Sequence, residues 1–234
     1  MRCFALLFAP VLAAVFAAPA TARDEVGAAR YVSAQHAAVE RAALAAFGPF
    51  RVIDDRTVAI VDVTDERSPD QFVALLARYP GIATLDFVEA PGTHDDRANF
   101  ALARMVRAHG IATRAPAGGS VRSGAVELFL AGVSRTIDAG SEFAVHGWLD
   151  ERGRGAQDFP EEALEHRRYL DFYMEMGMGA AEARAFYTMT NSVPFEGALW
   201  LTGREMQGWM DGRETAVSPS LAPVPSLAYA SLPL

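Results

Sequence analysis

From residue 57 onward the chain alternates short β-branched runs with helical segments that carry one apolar stripe, and this alternation constrains the fold more than any other feature. Residues 57–63 (TVAIVDV) predict a strand, and Ser68-Pro69-Asp70 opens a helix over about 70–79 with Phe72, Leu75, Leu76 and Tyr79 on one face. Ile82 to Val88 predicts a second buried strand, ended by Ala90-Pro91-Gly92, and a helix near 96–109 follows with Phe100, Leu102, Met105 and Val106 inward. A short strand over 110–113 leads into Gly118-Gly119. The segment SGAVELFLAG, residues 123–132, is apolar nearly all round and therefore predicts a buried helix. Short strands near 134–138 and 142–146 come next, then helices near 160–177, 179–190 and 203–211, the last capped by Thr202. Repeated strand–helix–strand units predict an α/β fold with a mainly parallel sheet and right-handed crossovers.

The two ends read differently from this body. The start, MRCFALLFAPVLAAVFAAPATA, has one positive charge at Arg2, an apolar run from Cys3 to Ala18, and a small-x-small cleavage site at Ala20-Thr21-Ala22. That is the layout of a secretory signal over residues 1–22, cut before Arg23, with a run too short to span a bilayer. The expected product is periplasmic or secreted, without stable membrane insertion once the signal is removed. Residues 23–50 read as an N-terminal helical segment: Val32, Val39, Ala43 and Phe47 fall at helical spacing over 24–47, and Gly48-Pro49 stops them. Residues 51–215 form the main domain, and the Pro/Ser/Ala-rich, uncharged stretch 216–234 predicts a disordered tail.

Composition removes whole classes of chemistry. The chain has no lysine and one cysteine, Cys3, which leaves with the signal. No disulfide, thiolate metal site, cysteine nucleophile or serine–lysine dyad is then available to the mature chain. A formal charge of −8, without basic clusters, argues against nucleic acid and anionic membranes as partners.

Three segments together resemble the Clp protease proteolytic subunit family and its exported relatives, on the Clp/crotonase fold. VRSGAVELFLAG resembles the family's nucleophile helix, with Ser123 nine residues before Gly132. SRTIDAGSEFAVHGW resembles the hairpin that follows, with Arg135 and His146 eleven apart. LDFVEAPG resembles the strand-to-loop segment that ends Ser-Pro-Gly-Gly, and Pro91-Gly92 lies about thirty residues ahead of the serine. The resemblance covers roughly residues 57–206 and implies a spiral of strand–helix units.

It also implies roles. Ser123 is the expected nucleophile, His146 the base, and the backbone N–H groups of Gly124 and of Gly92 or Thr93 the oxyanion hole. Thr93 stands where the family has a second loop glycine, and a β-branched residue distorts any position that needs positive φ. The family's triad acid aligns near Ala198; the nearest carboxylate is Glu196, with Asp171 and Glu175 as weaker candidates. Other readings of the same residues stay open. Ser123 also suits a plain N-cap, His146 a core or turn residue, and Trp148, Phe195 and Trp200 either a groove or the core. His94-Asp95-Asp96 reads as an acidic helix N-terminus in preference to a metal site.

The function expected is an exported serine hydrolase, a peptidase, working on peptides, loose chains or small esters without a cofactor, a metal or an ATP-driven unfoldase. The alternative is a catalytically degenerate relative that binds peptides or a partner protein, with acyl-CoA chemistry a distant third. A homo-oligomer is left open.

Overall fold

The computed structural model describes residues 34–211, so the expected signal over 1–22 and tail over 216–234 lie outside the described residues. The first element, α1 (Ala34–Ala42), is followed by two short strands, β1 (Ala45–Phe47) and β2 (Phe50–Val52). The expected helix over 24–47 therefore ends early. Gly48-Pro49 is the two-residue loop of a hairpin, with Phe47 paired to Phe50 and Gly48 at φ +55°. Proline cannot take positive φ, so glycine first and proline second selects the II′ type of turn. Phe50 and Val52 are fully buried. The hairpin also carries the sheet across the boundary drawn at residue 51.

The remainder alternates as the sequence predicts. β3 (Thr57–Ile60), α2 (Ser68–Arg78), β4 (Thr84–Phe87), β5 (Glu89–Ala90), α3 (Asp96–Ala108), β6 (Ala112–Ala115), β7 (Ser120–Arg122) and α4 (Gly124–Leu130) follow in order. After them come β8 (Arg135–Ile137), β9 (Glu142–Val145), a 3-10 turn over Ala156–Asp158, α5 (Leu164–Glu175), α6 (Ala180–Thr190), β10 (Leu199–Thr202) and α7 (Gly203–Met210). Thr202 caps α7 as expected, its hydroxyl taking the Glu205 N–H while the Glu205 carboxylate takes the Thr202 N–H at 2.7 Å.

Two sheets result. One runs β1-β2-β3-β4-β6-β8, antiparallel through the hairpin and parallel from β3 to β8; the other runs β10-β9-β7-β5, parallel from β5 to β9. The chain therefore repeats one unit, in which a strand of the first sheet continues directly into a short strand of the second. β4 passes into β5, β6 into β7 and β8 into β9, and a helix returns the chain after each of the first two. The sequence had predicted single strands over 82–88 and 110–113; β5, β7 and β10 were not foreseen. Strands of two to four residues are too short to show a period of two.

The centre of the molecule is α4. Ala125 to Leu130 are all buried, so this helix has no face for water. The Phe129 ring meets Phe87 from the first sheet and Phe143 from the second, edge to face at centroid distances of 5.4 and 5.2 Å. Cutting such a ring back to alanine typically costs about 3–5 kcal/mol. Gly132 ends the helix where β6 comes close. A Cβ there would lie 2.2 Å from the Thr113 hydroxyl oxygen, and that hydroxyl donates to the Phe129 carbonyl at 2.8 Å.

Two acids are buried among the described residues, Glu89, paired with Arg122, and Glu127. Glu127, on α4, accepts the Tyr173 hydroxyl of α5 at 2.7 Å. Burial pushes its pKa from 4.5 up to about 7; the tyrosine bond opposes the rise and the nearby Asp96 charge adds to it. The native state thus holds a proton that the unfolded chain releases above pH 4.5. Stability conferred by the proton is complete below 4.5 and is lost as pH rises to about 7, at 1.36 kcal/mol per unit. In urea unfolding, wild type measured against Glu127→Gln is expected to lose about 3 kcal/mol between pH 4.5 and pH 8. A pH-independent difference would place the titrating proton elsewhere.

Candidate active site

In the second sheet, β5, β7 and β9 lie side by side and parallel, so three chain segments leave the same edge together. Pro91-Gly92-Thr93 leaves β5, Ser123 leaves β7 in the middle, and His146 leaves β9. Arg122 is in register with Ala144, and the Ser123 N–H donates to the Ala144 carbonyl at 2.8 Å. The expected nucleophile, base and oxyanion loop are thus brought to one edge by strand order alone. An ion pair between Arg122 and Glu89 ties β7 to β5 immediately before Ser123.

Ser123 has φ +49° and ψ −133°, and among the described residues it is the one non-glycine residue with positive φ. A backbone so placed costs about 1–3 kcal/mol and persists only when its surroundings impose it. The turn is imposed from both sides. The Ser123 N–H is held by β9, and its carbonyl accepts the Val126 N–H at 2.9 Å to begin α4. The side chain does no capping, and among the described residues its hydroxyl has no hydrogen-bond partner. The plain N-cap reading of Ser123 is therefore not what the geometry shows.

The loop after β5 is clamped by Thr64. The Thr64 N–H donates to the Gly92 carbonyl at 3.0 Å, the His94 N–H donates to the Thr64 carbonyl at 2.8 Å, and the Thr64 hydroxyl reaches both Gly92 O and Asn99 Oδ1. In a planar trans peptide the C=O and the following N–H point opposite ways. With the Gly92 carbonyl turned to Thr64, the Thr93 N–H faces away from it. By the same argument, the Ser123 carbonyl points into α4 and the Gly124 N–H points out. Among the described residues neither N–H has an acceptor, and the two segments touch: a Cβ on Gly124 would lie 3.4 Å from the Thr93 nitrogen. Asn99, fully buried on α3, fixes the other end by donating to the Gly124 carbonyl at 2.6 Å.

Positive φ falls on Gly92, at +135°, and not on Thr93. Gly92 packs against the serine so closely that a Cβ there would stand 3.0 Å from the Ser123 Cβ. Thr93 is not strained; its hydroxyl accepts the Asp95 N–H, and its methyl covers Gly124, where a Cβ would come within 2.4 Å of it. The distortion considered for a threonine at this position does not arise.

His146 is half-buried, with its Nδ1 3.0 Å from the Gly147 carbonyl, an acceptor that requires the proton on Nδ1 and leaves the Nε2 lone pair free. Phe195 stands edge-on to the ring at 4.9 Å. Burial lowers the pKa of His146 below 6.5; the Gly147 bond and the charges of Asp96 and Glu196 act against that. At neutral pH the ring is a neutral base. No hydrogen bond joins Ser123 to His146.

The acids sort unevenly. Glu196 lies exposed in the loop before β10 and acts on His146 through its charge, without a hydrogen bond. Asp171 and Glu175 lie on the exposed side of α5, Glu175 paired with Arg104 at 2.8 Å. Asp95 is the N-cap of α3, taking the Ala98 N–H at 2.9 Å, and Asp96 accepts the Tyr169 hydroxyl at 2.6 Å. Among the described residues no group of three or more His, Cys, Asp or Glu side chains is placed to hold a metal. Trp148 belongs to the core, its indole N–H on the Tyr187 hydroxyl at 2.8 Å. Arg135, the other position of the hairpin pattern, is structural: it donates to the carbonyls of Leu130 and Met176, at the ends of α4 and α5. Sequence reading missed Thr64, Asn99 and the bond of Tyr169 to Asp96, since each depends on contacts between distant segments.

No family model matches the chain, and no curated protein matches it in sequence. Among solved structures, similarity is found to a mutant ClpP1 from Listeria monocytogenes, at 16% identity and a TM-score of 0.48, covering 67% of this chain and 88% of that one. A mutant of the 1510-N membrane-bound stomatin-specific protease in complex with a substrate peptide is similar at 15% identity and a TM-score of 0.42, covering 64% and 72%. A second mutant of that protease matches at 14% and 0.41, covering 64% and 76%.

If the Ser123 turn stores strain, glycine there should release it. Ser123→Gly is expected to raise stability by about 1 kcal/mol in urea unfolding, strain relief exceeding the entropy cost of glycine. Ser123→Ala, which keeps a Cβ, is expected to stay within about 0.5 kcal/mol of wild type. Equal effects of the two would show an unstrained turn.

Proposed function

We propose that this protein is an exported serine hydrolase, a peptidase, acting through an acyl-enzyme at Ser123. The observation that carries the reading is the Ser123 turn: positive φ, a hydroxyl without a partner, and two unpaired amide N–H groups beside it. Strain of this kind persists where function needs it, and a serine used only to start a helix has no need of it. In the reaction, the Ser123 Oγ bonds to the carbonyl carbon of the substrate while its proton passes to Nε2 of His146. The N–H groups of Thr93 and Gly124 receive the negative charge that develops on the carbonyl oxygen. Collapse breaks the bond to the amine or alcohol, which leaves with the proton from Nε2, and water then repeats the cycle on the ester. Gly92 supplies the close approach that sets this loop against the serine, and Glu196 adds charge near the ring.

A fluorophosphonate probe is expected to label Ser123 in the wild type and to label His146→Ala at least about 10²-fold more slowly. Because burial holds His146 neutral, the acid limb of the labelling profile is expected below pH 6.5. Thr93→Gly is expected to change the rate by no more than a few-fold, since Thr93 has no positive φ to relieve. A folded wild type that never labels, yet binds peptides, would establish the degenerate binding protein in its place. Export is tested separately: mass spectrometry of the secreted or periplasmic protein should find a start at or near Arg23, and recovery of only full-length cytosolic chain would overturn it.

A further inference from the structure

Thr64 lies between β3 and α2, buried, and forms a parallel bridge with Thr93. Its main chain alone clamps the loop, the N–H on the Gly92 carbonyl and the carbonyl under the His94 N–H. The hydroxyl has one proton to give and two oxygens within reach, Asn99 Oδ1 at 3.2 Å and the Gly92 carbonyl at 3.3 Å. The Gly92 carbonyl already accepts the Thr64 N–H at 3.0 Å. The Asn99 amide is oriented by its other end: Nδ2 donates to the Gly124 carbonyl at 2.6 Å, which turns Oδ1 toward Thr64. Asn99 is buried too, and a buried amide oxygen is costly unless a donor meets it. The Thr64 hydroxyl is that donor.

A continuous chain of hydrogen bonds results, from the Gly92–Thr93 peptide through Thr64 and Asn99 to the carbonyl of Gly124. It joins the loop after β5 to the first turn of α4, the two segments that carry the Thr93 and Gly124 N–H groups. Their direct contact is the Thr93 methyl against Gly124, which sets a separation but no direction. Gly124 has no Cβ to limit its rotation, so the orientation of its peptides depends on the groups that bond them. The Ser123 turn restrains one side of Gly124, and Asn99 restrains the other.

We infer that Thr64 and Asn99 are positioning residues of the oxyanion hole: the hydrogen bond between them aims the Thr93 and Gly124 N–H groups at one point. The inference rests on the hydrolase reading above. Each side chain acts through a backbone carbonyl next to a donor, and the Gly92 carbonyl shares its peptide plane with the Thr93 N–H. Negative charge reaches the substrate oxygen only as the Oγ bond forms, so poorly aimed donors slow the reaction more than they weaken binding.

The test measures inactivation of the mature protein by an alkyl fluorophosphonate, resolved into a maximal rate and a half-saturating concentration. Thr64→Val keeps the shape of the side chain and both backbone bonds but removes the hydroxyl. It is expected to lower the maximal rate about tenfold and to move the half-saturating concentration by less than about twofold. Thr64→Ser, which keeps the hydroxyl, should recover the rate to within about threefold. Asn99→Ala cuts the same chain at its other link; it should slow the reaction likewise, and it carries the test if Thr64→Val does not fold. Thr113→Val removes a buried threonine bond at the far end of α4 and should lower stability while leaving both parameters unchanged. A merely structural Thr64 would behave as Thr113 does, and an unchanged maximal rate in folded Thr64→Val overturns the inference. So does a Thr64→Ser as slow as Thr64→Val. Amide NMR reads the coupling without activity: the Gly124 resonance should shift in Thr64→Val and return in Thr64→Ser. If the wild type never labels but Gly124 responds in this way, the hydrolase reading is lost and the coupling of the two segments stands. A Gly124 resonance that stays in place overturns the coupling itself.

Discussion

Helix α4 has no side that it can present to water, and the rest of the domain is arranged to enclose it. Ala125 to Leu130 are buried, so sheet and helix must cover every face. Phe87 reaches Phe129 from one sheet and Phe143 reaches it from the other. Tyr173 comes from α5 to bond Glu127, and Asn99 comes from α3 to hold the Gly124 carbonyl. A helix enclosed in this way cannot shift along its axis without opening contacts on all sides. Its first residue, and the serine before it, are fixed by the same packing.

Enclosure creates polar obligations, and the structure meets them with side chains from distant segments. The last carbonyl of α4 is satisfied by Arg135, which also takes the Met176 carbonyl at the end of α5. At the other end the pattern reverses. The N–H groups of Thr93 and Gly124 are left without acceptors, beside a hydroxyl without a partner. These two donors at one partly exposed turn are the pair to which the proposed function assigns the substrate oxygen.

The electrostatics around His146 follow from depth. Burial favours the neutral ring, and the carboxylates of Asp96 and Glu196 pull the other way. Of the carboxylates named from sequence, Glu196 follows Phe195, whose ring meets His146, but it stays in solvent. Asp96 was read as part of an acidic helix start. That reading holds for both: Asp95 caps α3 and Asp96 stands in its first turn, where its carboxylate also takes the Tyr169 hydroxyl. The difference between adjacent aspartates depends on α5, some seventy residues away, and no local pattern contains it.

Local periodicity was enough to reveal the helices, the longer parallel strands and the buried character of α4, because an apolar stripe, or its absence, is written in consecutive residues. The spacing of Ser123 and Gly132 was also legible, and the approach of Thr113 is the reason that residue 132 is a glycine. The hairpin at Gly48-Pro49 was misread as a helix stop, since the same dipeptide serves either role until a partner strand is known. What only the tertiary structure decided is the order β5–β7–β9, because β5 and β7 do not signal themselves and the three pair across long stretches of chain. That order sets Gly92-Thr93, Ser123 and His146 at one edge, puts positive φ on Gly92 and Ser123 while sparing Thr93, and leaves two amides unpaired. A sequence specifies which residues must be buried, but the direction of a peptide plane is fixed only by the groups that arrive to bond it.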